Sequence, residues 1–305
     1  QVKALCLAQG VPAAIIDNYQ LGTAQVFALT GGNPDLQEET ADTFSIGAVI
    51  QSPFESPLLS RMSASIDYYS IKVQDAVGQL PIKNAFQFCF NAGGNNPSFD
   101  PNNYYCKLIA RNTASGVPLN PVQPLLNLGQ FETTGVDVQF DWNFELMDLG
   151  LPENAGSLAI NVAVGWLNEF KIQTLPNAPT YDYAGTWGTA VETSAGQAHP
   201  EWKSVASATY TWGPASLGLR WRHISEMQNS ARIVTPTSTS RGVKAYDIFD
   251  LNGRVKLPWD TDLRFGVNNL LDKNPPQAGD TEANYDAQNY DVMGRAYYVG
   301  VRKRF

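Results

Sequence analysis

The chain has 305 residues, 43% of them hydrophobic, 11% aromatic and only 16% charged, with a net charge of -8. This composition is too apolar for a disordered chain, and the acidic balance excludes a polyanionic nucleic-acid partner. No run of about 18 apolar residues occurs, which excludes membrane-spanning helices but not a β-barrel, whose lipid face takes only every second residue.

The N-terminal segment opens QVKALCLAQG, with neither an initiator Met nor a secretory apolar core, and truncation is the expected cause. Three cysteines, Cys6, Cys89 and Cys106, make an odd set, so one is unpaired or has a partner elsewhere. Cys89 and Cys106 bracket the Gly/Asn/Pro-rich stretch FCFNAGGNNPSFDPNNYYC, with no His nearby to suggest zinc. They are either a disulfide pair or two separate thiols, and a disulfide is expected. Such a bridge would stabilise its loop by ~3 kcal/mol and place it in an oxidising compartment or outside the cell.

About nine stretches alternate apolar and polar residues at a period of two. Residues 40–52, 61–77 and 201–212 are the weaker ones, where small residues blur the pattern. In SIDYYSIKV the apolar set switches from Ile66 and Tyr68 to Ile71 and Val73, which predicts a bulge there. The alternation is clear in Val136, Val138, Phe140, Trp142 and Phe144, and again in Leu158, Ile160, Val162, Val164 and Trp166. Leu217, Leu219 and Trp221 follow, then Phe249, Leu251, Val255 and Leu257, then Leu263, Phe265 and Val267. The last stretch, DVMGRAYYVGVRKRF, puts Tyr297, Val299, Val301 and Phe305 on one face, interrupted by Lys303, and ends the chain on an aromatic.

Short connections near 52–60, 146–156, 213–215 and 258–261 alternate with long ones over 78–120, 171–200, 227–243 and 272–290. That alternation predicts an antiparallel up-and-down transmembrane barrel, with tight periplasmic turns and extended extracellular loops. No sequence period of a propeller or solenoid is present. Trp142, Tyr210, Trp212, Trp221 and Trp259 lie near strand ends, where interfacial aromatic girdles belong.

Five segments together resemble the C-terminal half of the TonB-dependent receptors of Gram-negative outer membranes. They are GGNPDLQEETADTFSIGAVI (31–50), SIDYYSIKVQDAV (65–77), NLGQFETTGVDVQFDW (127–142), LRFGVNNLLDKNPP (263–276) and the terminal GRAYYVGVRKRF. Asn33-Pro34-Asp35-Leu36 with Glu38 and Glu39 resembles the family's NPxLxPE element, with Gln37-Glu38 where Lys-Pro is common. The resemblance implies an all-β barrel of about 22 strands, of which this chain supplies the last part. Residues 1–37 are then an extracellular loop remnant and strand lead-in, and 38–305 the C-terminal barrel portion. The plug, the energy-coupling box and the earlier strands have no counterpart, so a fragment is expected. Implied partners are a small-molecule ligand, outer-membrane lipid, the TonB complex acting through the absent plug, and the barrel-assembly machinery, which would read the strand ending at Phe305.

Little in the sequence looks catalytic, and no cofactor or metal is expected. No nucleophile elbow or phosphate loop occurs, and the only histidines are His199 and His223. His223-Ile224-Ser225 places His and Ser on one strand face, as in outer-membrane phospholipases, and is the one candidate for hydrolysis. Arg220, Arg222, Arg254 and Arg264, with Asp250, Asp262 and Asp141, are expected to form mixed-sign ladders in the lumen. Tyr181, Tyr183 and Trp187, in the 171–200 loop, are candidates to stack on a ligand or to pack the loop onto itself. The expected function is active uptake of a ferric siderophore, cobalamin or a carbohydrate. The alternatives are a passive porin-like channel or a hydrolase using His223 and Ser225.

Overall fold

The computed structural model describes residues 1–20, 27–175, 179–188, 198–277, 285–286 and 289–304. Phe305 lies outside the described residues. Among them, nine long strands form one antiparallel sheet in chain order: β1 (Thr40–Gln51), β2 (Met62–Gln79), β3 (Val122–Glu145), β4 (Ser157–Gln173), β5 (Trp202–Trp212), β6 (Ala215–Ile224), β7 (Tyr246–Leu257), β8 (Thr261–Asn268) and β9 (Ala296–Lys303). Every strand pairs with its sequence neighbours, and β1 and β9 are the two free edges.

Register converts the period-two pattern into two different surfaces. One cross-strand row runs Ile50, Ala64, Phe140, Val162, Ala206, Trp221, Phe249. A second row, three residues away in each strand, runs Gly47, Asp67, Asp137, Gly165, Lys203, Ile224, Tyr246 on the opposite face. The apolar surface stays open: Ile46 is 64% exposed, Leu217 48% and Val299 75%. An apolar area of that extent belongs against lipid, with the polar face lining a lumen.

The short connections run 52–61, 146–156, 213–214 and 258–260, and the long ones 80–121, 174–201, 225–245 and 269–295. In the three-residue β7–β8 turn, Trp259 and Asp260 both take positive φ, 60° and 51°, and reverse the chain through left-handed backbone. Below β3, the Trp142 indole donates to the Leu58 carbonyl at 2.8 Å and fastens the first turn to the sheet.

Several strands are far longer than a bilayer requires. β3 has 24 residues and β2 has 18, whereas about 9–11 suffice to cross. Their extracellular ends therefore stand clear of lipid, which explains the switch at Ile71 and Val73 without a bulge. β2 pairs with β3 in unbroken register from Met62 to Val73. The irregularity lies later, between Val73 and Val77, where Asp75 takes a φ of 55°. Once a strand leaves the membrane, apolar side chains can face the lumen side and pack into the loop layer.

Within the lumen the predicted ladders are partly present. Asp250, 3% exposed at its side chain, accepts from Arg220 Nε at 3.0 Å, Arg222 Nε at 2.9 Å and the Asn269 backbone N–H at 2.9 Å. Arg254 forks onto Asp262, donating from Nε at 3.2 Å and from Nη2 to both carboxylate oxygens at 2.9 Å. Asp141 instead accepts from Asn161 and Gln139, and Arg264 makes no ion pair among the described residues. Its cross-strand neighbour Arg254 is already committed to Asp262.

Two outcomes follow for the protein in detergent or bilayer. A Cβ at Gly135 would fall 2.5 Å from the Trp166 carbonyl oxygen and 2.3 Å from the Tyr69 hydroxyl, at the β3–β4 register shift. Gly135→Ala is expected to cost about 1–3 kcal/mol in urea unfolding. The control Gly31→Ala, with nothing within 4 Å, should leave the midpoint unchanged. Asp250→Ala strands two guanidiniums and is expected to cost about 3 kcal/mol by the same measurement, the low end for a broken buried pair because both arginines keep solvent contact.

Candidate functional site

Of the concavities among the described residues, two bear on ligand capture, one on the lumenal wall and one in the loop layer. The lumenal one, about 570 Å³, lies where the strands rise toward the loops and is lined by Asp67, Asp137, Lys203, Arg222 and Tyr246. Asp67 and Asp137 are direct cross-strand partners, an unfavourable like-charge arrangement. Glycine on each outer side accommodates them: a Cβ at Gly47 would collide with the Asp67 carboxylate, and one at Gly165 would sit 3.1 Å from Asp137 Oδ1. The two carboxylates thus splay apart over bare backbone.

The His–Ser candidate sits on the other, lipid-facing surface. His223 Nδ1 lies 2.8 Å from Asp247 Oδ1, and the Trp221 indole donates to the same oxygen at 2.9 Å. Ser225 Oγ accepts from the Trp202 backbone N–H at 3.1 Å. Among the described residues the imidazole is held by Asp247, not by Ser225, so its first partner is a carboxylate one strand away.

The loop layer is built around the bridge between Cys89 and Cys106, whose Cα atoms are 4.8 Å apart. Both cysteines are buried with Leu5 and Ile109, and Cys6 is the remaining free thiol. Burial raises the Cys6 thiol above its usual range. The bridge joins the helix Ile82–Cys89 to the short helix Tyr104–Lys107, which Asn103 caps by accepting from the Tyr105 N–H at 3.0 Å. From these helices Phe88 and Tyr105 meet edge to face at 4.9 Å, and Tyr104 and Tyr105 at 5.4 Å. Burial pushes the Tyr105 phenol up, and burial with the neighbouring Tyr105 does the same for Tyr104, so both stay neutral.

Opposite these rings runs the Asn33–Glu39 segment. Asn33 Nδ2 donates to the Leu125 carbonyl at 3.0 Å and its Oδ1 accepts from the Asp35 N–H at 2.9 Å. Asn127 exchanges two hydrogen bonds with the Gln37 backbone at 2.8 and 2.9 Å, and the Glu39 carboxylate accepts from the Val77 N–H. The motif therefore splices the lead-in chain onto the tall ends of β2 and β3. Between the segment and the rings lies a cavity of about 820 Å³.

Of the three loop aromatics, Trp187 is fully buried, packed with Met227, Tyr246, Ile248 and Tyr290, and its indole donates to Asp286 at 3.3 Å. Tyr183 is 3% exposed against Ile172, and Tyr181 is half-buried with its ring 6.4 Å from that of Tyr183. None of them lines either cavity. The aromatic residues that line the loop cavity, Phe88, Tyr104 and Tyr105, were not singled out from the sequence, although Tyr104 and Tyr105 immediately precede Cys106 in the stretch the cysteines bracket.

Three solved structures show the same architecture. The apoprotein form of the FrpB iron transporter from Neisseria meningitidis is 14% identical, with 91% of this chain and 33% of that one covered at a TM-score of 0.55. The siderophore receptor PirA from Acinetobacter baumannii is 14% identical, with 90% and 33% covered at 0.51. A mutant of the ferric enterobactin receptor PfeA from Pseudomonas aeruginosa, in complex with enterobactin, is 14% identical, with 89% and 32% covered at 0.56. The chain thus spans about a third of the length of these structures, and at such identities the likeness is one of fold. No curated protein matches the chain. Its residues 8–270 match the family of TonB dependent receptor-like β-barrels, whose members are outer-membrane proteins of Gram-negative bacteria. With an apolar outer wall, a polar lumen and a tall braced loop layer, the chain belongs to the TonB-dependent receptor β-barrel family.

Proposed function

We propose that this chain is the C-terminal wall of an outer-membrane receptor that actively takes up a scarce ligand. What carries the reading is the pairing of a lipid-compatible outer face with a loop layer covalently fastened at Cys89–Cys106. A passive pore has no need of a preformed, disulfide-held cavity above its lumen, whereas a capture device does. The ligand is a small molecule of the siderophore, cobalamin or carbohydrate class. No bond in it is made or broken; transport consists of capture by the loops and release inward when the TonB complex pulls on a plug domain carried elsewhere in the receptor.

The remaining wall is supplied by strands outside this chain, which would cover the free edges of β1 and β9, since neither edge is tolerable in lipid unpaired. The strand ending at Phe305 would be read by the barrel-assembly machinery. Tyr181, Tyr183 and Trp187 serve the ligand by holding the loop in shape, in keeping with the burial of the latter two.

The test is uptake by cells expressing the full-length receptor with and without a functional TonB. Uptake that stops without TonB is expected; uptake that persists would mean a passive channel, and ester hydrolysis lost in Ser225→Ala would mean an enzyme. The double substitution Cys89→Ser, Cys106→Ser is expected to weaken ligand binding by about tenfold or more while leaving the barrel's unfolding midpoint in place. The loop's ordering of ~3 kcal/mol would then fall on the binding step, where ~1.4 kcal/mol is a factor of ten.

A further inference from the structure

The loop cavity has a lining with a definite chemical bias. One side is an aromatic wall of Phe88, Tyr104 and Tyr105, with Tyr104 48% exposed. Asn95 lies on the same segment as the rings, the facing side carries Asn33, Asp35 and Asn127, and Leu126, Leu128 and Leu175 complete an apolar part of the lining. Among its described lining residues there is no Lys, Arg or His, and Asp35 is the one charged group. The lumenal cavity differs, since Lys203 and Arg222 both line it.

We propose that the loop cavity binds a neutral saccharide, with a sugar ring stacked on Tyr104 and its hydroxyls held by Asp35 and the asparagine amides. This names the substrate class of the receptor and rests on the receptor reading above. Charge decides first. A ferric siderophore of net negative charge, or any phosphorylated ligand, would enter a cavity whose one charge is a carboxylate, with no cation to offset it. A sugar carries no charge to be repelled. Its C–H faces are weakly positive and fit the negative face of an aromatic ring, while its rim of hydroxyls both donates and accepts.

Hydrogen-bonding capacity points the same way. Both amide hydrogens of Asn127 are spent on the Gln37 and Asp75 carbonyls, so that residue braces the site. Asn33 uses one amide hydrogen on Leu125, and Asn95 uses one on Ala92 at 2.8 Å. Each keeps a second amide hydrogen, and the Asn95 amide oxygen and the Asp35 carboxylate accept no side-chain hydrogen bond among the described residues. The cavity thus offers donors and acceptors side by side, as vicinal hydroxyls require. Its volume of about 820 Å³ lies within the range of small-molecule sites, roughly 300–1,000 Å³. The frame is rigid, with the Cys89–Cys106 bridge behind the rings and the Asn33–Leu125 and Asn127–Gln37 bonds behind the amides.

The experiment is isothermal titration of the purified full-length receptor with malto-, cello-, xylo- and chito-oligosaccharides, with ferric enterobactin and cobalamin in parallel. At least one oligosaccharide should bind saturably. Tyr104→Ala should weaken it tenfold or more, whereas Tyr104→Phe, which keeps the ring, should stay within about threefold of wild type. An unchanged unfolding midpoint in both variants excludes a folding defect. Failure of all four oligosaccharide series to bind would overturn the proposal, as would ferric enterobactin or cobalamin binding that Tyr104→Ala abolishes. If TonB-dependent uptake of either of those ligands is found, the receptor reading stands while the saccharide assignment falls. If uptake is independent of TonB yet a sugar binds at Tyr104, the reverse holds.

Discussion

A strand in hydrocarbon can satisfy its backbone only by pairing along its full length with another strand, and everything else in this chain is subordinate to that requirement. Pairing fixes register, and register at a period of two fixes which surface meets lipid. The row Ile50 to Phe249 and the row Gly47 to Tyr246 are offset by three residues in every strand, an odd number that puts them on opposite faces. A slip of one place anywhere would send Asp67, Asp137 and Lys203 into the bilayer. The lumenal polar network reinforces the correct choice, since the Asp250 carboxylate reaches both arginines of β6 only in the register observed.

How much of this could be read in advance depended on whether the controlling physics was periodic. The strands were legible because lipid exposure imposes one rule on every second residue. The alternation of tight and extended connections followed from the same rule. The bulge was misplaced because the switch at Ile71 and Val73 marks the height at which β2 leaves the membrane, a boundary that leaves no punctuation in the sequence. The loop layer was less legible still. Trp187 and Tyr104 are both aromatic loop residues, yet one is fully buried and the other is open. Only the tertiary fold separates them. The partner of His223 was hidden for a related reason, because Asp247 is brought alongside by the β6–β7 pairing and not by local spacing.

The protein therefore divides its labour by the kind of order each part uses. The wall is held by repeated backbone pairing and tolerates much variation within its polarity code. The loop layer has no such repeat and relies on individual fastenings: a covalent bridge, an asparagine cap at Asn103 and the splice from Asn33 to Glu39. Substitutions should accordingly be absorbed in the wall and felt in the loops, except where backbone crowds backbone, as at Gly135, or where a buried carboxylate anchors two arginines, as at Asp250.

The unusual height of β3 has one more consequence. Asn127, at the cavity, stands 18 residues above Glu145 at the opposite end of the strand, which is about 60 Å of chain at ~3.3 Å per residue. A tilt of roughly 40° reduces that to about 45 Å of elevation, against an apolar band about 25 Å tall. The loop cavity is thus carried on a mast well above the lipid. That cavity opens in water, clear of the crowding and charge of the membrane surface, and the wall below is its anchor.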